Sequence, residues 1–89
     1  MNDLSIRKTM AINMLASGFK RVRQSPDILS LENNDNYLFG LIHGFEIGGL
    51  ITTQQEAKLI KAKLLAWEKR FRELNEKEKA GCKVQSQAS

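Results

Sequence analysis

Ala57, Ile60, Leu64, Trp67, Phe71 and Leu74 step along the chain by 3, 4, 3, 4 and 3 residues. That spacing is a heptad seam over nearly three repeats, and it commits the C-terminal third of the chain to an amphipathic helix. Glu68 with Arg72 and Glu73 with Lys77 add i,i+4 pairs in the favourable orientation. Thr53 and Glu56 have the spacing of a capping box at the start, so the helix is expected over about 54–79, closed by Gly81.

Two further helices follow from the same periodicity. Over about 4–23, Leu4, Ala11, Met14, Leu15, Gly18, Phe19 and Val22 fall on one broad face. Asn2 or Asp3 supplies an N-cap, and Ser25-Pro26 ends the helix, because the residue before proline is driven out of the α region. Asp27 to Asn36 reads as a connector, with Glu32-Asn33-Asn34-Asp35-Asn36 a turn cluster. A helix over about 35–48 is apolar on most sides, which places it centrally in a bundle. Gly40, Gly44 and Gly48 form a row along it without side chains. Each costs about 0.8–1.0 kcal/mol against alanine, and close approach of another helix is the expected compensation.

The expected fold is therefore all-α: three helices (about 4–23, 35–48 and 54–79) in one domain over 1–80, with a flexible polar tail over 81–89. At 1.5 Å per residue the third helix is about 39 Å long and the second about 21 Å. The half-seam at Trp67, Phe71 and Leu74 then outruns its hairpin partner. Either the first helix lies along it or another chain does, and a homodimer is the preferred expectation.

Charge is distributed in blocks. Residues 1–25 carry five basic side chains against one acidic. Residues 26–56 carry no Lys or Arg and five acids (Asp27, Glu32, Asp35, Glu46 and Glu56), while residues 57–89 carry nine basic against four acidic. The ends can neutralise the middle, so the net charge of +4 is weak evidence for nucleic acid. The nucleic-acid alternative rests on Lys58, Lys61, Lys69 and Arg72 on one side of the third helix and Lys20, Arg21 and Arg23 at the end of the first. A helix–turn–helix is not expected, because Gly44 and Gly48 stand where its first helix should be apolar and the third helix is too long.

No catalytic residues, metal site or cofactor are expected. The sole histidine, His43, shares a helix face with Phe39 and Glu46, and reads as part of a half-exposed polar stripe. One cysteine, Cys82, can form no internal disulfide, and no signal pattern opens the chain, which points to the cytoplasm. The most apolar stretch, Tyr37 to Ile51, is too short and too polar to cross a membrane.

Leu50-Ile51-Thr52-Thr53-Gln54-Gln55-Glu56, with Lys61-Ala62-Lys63-Leu64-Leu65 after it, resembles the short C-terminal helical hairpin known as SHOCT. The resemblance covers about Leu38 to Leu65. It implies a role in oligomerisation or partner docking and supplies no catalytic residue. The functional expectation is a small non-enzymatic regulator, of the kind found among bacterial and phage accessory proteins, that binds and modulates another protein. Its docking surface is expected at Trp67, Phe71 and Leu74 or at Phe39, His43 and Glu46.

Overall fold

A computed structural model describes residues 3–88, with side chains described as far as Glu78. Three helices, α1 (Asp3–Arg23), α2 (Ile28–Ile47) and α3 (Thr53–Ala88), follow one another, and no strand occurs among the described residues. The chain turns back at each connection, so α1 and α3 run parallel with α2 antiparallel between them. The expected tail over 81–89, with Cys82, lies where side chains are not described; the backbone there continues α3 to Ala88.

α1 ends at Arg23, ahead of the Ser25-Pro26 pair that the sequence marks as its stop. α2 begins seven residues earlier than expected. Asp27 is its N-cap: extended in backbone, its carboxylate accepts a 2.7 Å hydrogen bond from the Ser30 amide. Residues 32–36, expected as a turn, are helical, and two of their polar side chains, Asn34 and Asp35, are engaged across the bundle. Asn34 Nδ2 donates to the Arg21 carbonyl and to Ser25 Oγ, and Asp35 accepts from Lys63. A side chain used across the bundle no longer competes for its own backbone.

The α2–α3 corner is a Schellman turn. Gly48 is the C-cap, the Gly49 amide donates to the Glu46 carbonyl and the Leu50 amide to that of Phe45. Gly49 has φ +78°, the left-handed region where a side chain is strained. The capping box of α3 is set one residue earlier than expected. The Thr52 amide donates to Gln55 Oε1 at 2.8 Å, and the Gln55 amide to Thr52 Oγ1 at 3.0 Å. Thr53 and Glu56, the expected pair, are thereby freed for contacts with α2.

Each helix contributes one line to the core. Ala11, Leu15, Gly18 and Val22 are buried on α1, and Leu31, Leu38 and Ile42 on α2. On α3 the inward line is Ile60, Lys63, Trp67, Arg70 and Leu74. Relative to the expected seam it is rotated, leaving Ala57 and Leu64 outside. Lys63 is only 9% exposed; its ammonium lies 2.8 Å from Asp35 Oδ1 and over the Phe39 ring. Arg70 Nε donates at 2.8 Å to the carbonyl of Ser25, which is itself 1% exposed. Two cations thus occupy seam positions, each with an oxygen partner, as burial of charge requires.

The close helix approach expected at the glycine row occurs at another glycine. A Cβ on Gly18 would lie 2.9 Å from Leu38 Cδ1, so α1 sits hard against α2 there. Gly40 and Gly44 have open space around them, and Gly48 is a helix cap. Among the described residues, nothing from another helix lies within 4 Å of a Cβ placed at Gly40 or Gly44.

Candidate docking groove

Gly18 draws α1 toward α2, and the opposite flank of α1 parts from α3. Between them runs an open groove with a volume of about 440 Å³. Its α1 wall is Ile12, Leu15, Ala16 and Phe19, which recur at helical spacing; Ile51, Leu59 and the stem of Lys58 form the other side, with Gln55. Ile12 is 65% exposed at the edge of this groove. The lining is overwhelmingly carbon, because Ala16 and Leu59 place no polar atoms on the floor.

Two smaller hollows lie along the same α1–α3 face, one adjoining the groove and one separate from it. Toward the α2–α3 corner a hollow of about 140 Å³ shares Ile12, Leu15, Ile51 and Gln55 and adds Lys8. Toward the other end a hollow of about 150 Å³ is bounded by Arg23, Ala66, Lys69, Arg70 and Glu73. From Lys8 to Arg23 is 15 residues of helix, about 22 Å.

The rim is mainly basic. Lys8, Arg23, Lys58 and Lys69 border the groove and form no ion pair among the described residues. The single acid, Glu73, is 3.5 Å from Arg70 NH1 and so already has a partner. An apolar trough between like-charged edges is a built feature of the α1–α3 face. It draws Arg23, Lys58 and Lys69 from the expected basic clusters into one site. Lys20, Lys61 and Arg72 are exposed outside it. Arg21 points to the other flank of α1, where its guanidinium lies 5.0 Å from the Tyr37 ring centre.

The docking surfaces expected from the sequence fare differently. Leu74 is 4% exposed and belongs to the core; Trp67 and Phe71 are half-buried against it, their rings stacked at 4.9 Å. Within the chain this half-seam packs against the core, with Trp67 and Phe71 left partly exposed. On α2, Phe39 and His43 stack at 6.0 Å on the exposed side. His43 Nδ1 reaches Glu56 Oε2 on α3 at 3.2 Å, and Glu46 Oε1 accepts from Thr53 Oγ1 at 3.1 Å. This second cluster is polar and closed upon itself.

The groove escaped sequence reading because Ile12 and Ala16 fall at the edge of the apolar face of α1, and Lys8 looks like an ordinary surface lysine. The signal that was there is the width of that face: Ile12 and Phe19 widen it beyond what one neighbouring helix can cover. No helix among the described residues is long and apolar enough to cross a membrane. No protein-family model, curated protein or solved structure matches the chain.

Proposed function

We propose that this chain is a non-enzymatic interaction protein whose α1–α3 groove receives an amphipathic helix of a partner protein, apolar along one face and acidic on its flanks. The observation that carries this reading is the apolar trough between the unpaired cations Lys8, Arg23, Lys58 and Lys69. A helix laid in the groove would complete a four-helix arrangement, with its apolar stripe on Ile12, Phe19 and Leu59 and its carboxylates at the rim. The charge selects the partner: opposite sign at the rim steers encounter and fixes register, and basic competitors are repelled.

Two other occupants fit less well. Nucleic acid would use the rim but leave the apolar floor in contact with phosphate and sugar. A second copy would have to offer an acidic helix. The longest acidic block is residues 26–56, where Asp35 and Glu56 are already paired, and residues 73–78 add three Glu against one Lys. The homodimer expected at the half-seam would rest on Trp67 and Phe71, because Leu74 is buried within the chain. A regulatory role follows from the mode of binding, since masking a partner's helix changes what else that helix can meet. The docking role that the SHOCT resemblance implies agrees with this reading.

The test is affinity capture from the native host with and without nuclease, comparing the wild-type chain with Ile12→Asp and with Lys8→Glu/Lys58→Glu. Ile12 is exposed, so Ile12→Asp leaves the fold intact while placing a charge on the groove floor. A protein retained after nuclease by the wild type, and lost by both variants, is the expected result. Capture that disappears with nuclease, or that neither variant weakens, would contradict the proposal.

A further inference from the structure

Where α2 meets α3 beside the corner, one imidazole and two carboxylates converge. His43 and Glu46 are one turn apart on α2, and Glu56 faces them from the first turn of α3. One donor atom from each can be chosen so that all three lie within 4.8 Å of one another. His43 Nδ1 and Glu56 Oε2 are already at 3.2 Å. Ligands around a tetrahedral zinc, each about 2.1 Å from the metal, lie roughly 3.4 Å apart. One pair already has that separation. The rest need a movement of about an ångström, which torsion of the half-exposed His43 and Glu46 side chains supplies.

The local charge is unbalanced. No Lys or Arg occurs between residues 26 and 56, and none pairs with Glu46 or Glu56 among the described residues. Two carboxylates therefore share a small volume, and among the described residues the one ion-pair partner either has is His43. A divalent ion would neutralise both. Two neighbours already hold the donors in place: the Thr53 hydroxyl donates to Glu46 Oε1 at 3.1 Å, and the Phe39 ring lies nearly parallel to His43, at 10°. Such outer contacts orient ligands before the metal arrives.

We infer that His43, Glu46 and Glu56 form a site for a divalent transition-metal ion, zinc being the prototype, which clamps α2 to α3 at the hairpin corner. The mixture of one imidazole with carboxylates selects the class: magnesium and calcium favour all-oxygen shells, whereas zinc, cobalt and nickel accept nitrogen. Three protein donors leave a position for water, so the affinity is that of an open site. The ion crosslinks two helices. Its binding free energy therefore adds to the stability of the hairpin. Nothing in this inference depends on the docking groove.

The test uses the full chain carrying Cys82→Ser, which removes the one competing thiol. Calorimetric titration with zinc chloride is expected to give one ion per chain. At about a hundredfold excess over the dissociation constant, the melting temperature is expected to rise by on the order of 10 °C. His43→Gln and Glu56→Gln, both close in shape to the residues they replace, are each expected to weaken binding at least tenfold, and magnesium is expected to leave the melting temperature unchanged. Absence of one-to-one zinc binding would overturn the site, and so would binding that both variants retain. A circular-dichroism spectrum of each variant, recorded without metal, verifies that the helices are intact.

Discussion

At the scale of single residues, the fold depends on charged groups in places where hydropathy alone would put carbon. Lys63 is nearly buried and Asp35 is its one carboxylate partner. Removing the carboxylate leaves an ammonium without compensation in a poorly solvated place, which is costlier than removing both charges. Asp35→Ala is expected to lower stability by about 2–3 kcal/mol, allowing for the residual exposure of the pair. Lys63→Met, which keeps the packing of the stem, is expected to cost less, and urea denaturation of the two variants measures the difference. Asp27 gives a pH signature. The hydrogen bonds from Ser30, the backbone amide first, hold its carboxyl below the ordinary 3.8. A carboxyl lowered in the folded state contributes stability above its unfolded value, and loses it as pH falls through the folded one. The wild type should therefore lose stability below about pH 4 more steeply than Asp27→Asn, which keeps a capping oxygen but cannot titrate. Urea midpoints recorded for both proteins between about pH 5 and about pH 2.5 show it.

At the scale of elements, the existence and order of three helices are legible in the sequence, as is the Ser25-Pro26 break after α1. What the sequence hides is rotation and register. The heptad at 57, 60, 64, 67, 71 and 74 is real as a pattern, yet α3 turns Lys63 and Arg70 inward and leaves Ala57 and Leu64 outside. Hydrophobic periodicity assigns no weight to a buried cation, because its burial depends on partners from other helices: Asp35 and the Ser25 carbonyl. The start of α2 was hidden for the same reason, since Asn34 and Asp35 are turn formers only when nothing else binds them. Thr52-Thr53-Gln54-Gln55-Glu56 contains two overlapping capping boxes, and local spacing cannot choose between them. The choice is made by α2, whose Glu46 and His43 take up Thr53 and Glu56.

The glycines give the sharpest element-level prediction. Gly40 and Gly44 have open space where a Cβ would go, so Gly40→Ala and Gly44→Ala should each stabilise the chain by about 0.5–1 kcal/mol. Gly18→Leu should destabilise it by about 1–3 kcal/mol, because its side chain would be driven into the buried Leu38. Denaturant midpoints that fell for the two alanine variants would mean that the row is covered by another chain.

At the scale of the whole molecule, three helices enclose one core but leave one seam open. α1 satisfies α2 through Gly18 and Val22, α2 satisfies α3 through the Asp35–Lys63 pair and Ile42, and the α1–α3 flank retains an apolar trough with a basic edge. The sequence showed the basic clusters and the apolar faces separately. Their juxtaposition is a property of the parallel packing of α1 and α3, which no single helix encodes. The proposed partner helix of opposite charge would cover Ile12 and pair with Lys8, Arg23, Lys58 and Lys69 together.

The most direct measurement is a titration of the isotopically labelled chain, followed by its amide resonances, with two designed peptides. Both are amphipathic helices with an identical leucine face, one flanked by glutamate and the other by lysine. The glutamate peptide is expected to shift the amides lining the α1–α3 groove, from Lys8 to Arg23 and from Ile51 to Lys69, and the lysine peptide to shift none. Shifts centred on Phe39 and His43, equal binding of both peptides, or no response to the glutamate peptide would contradict it.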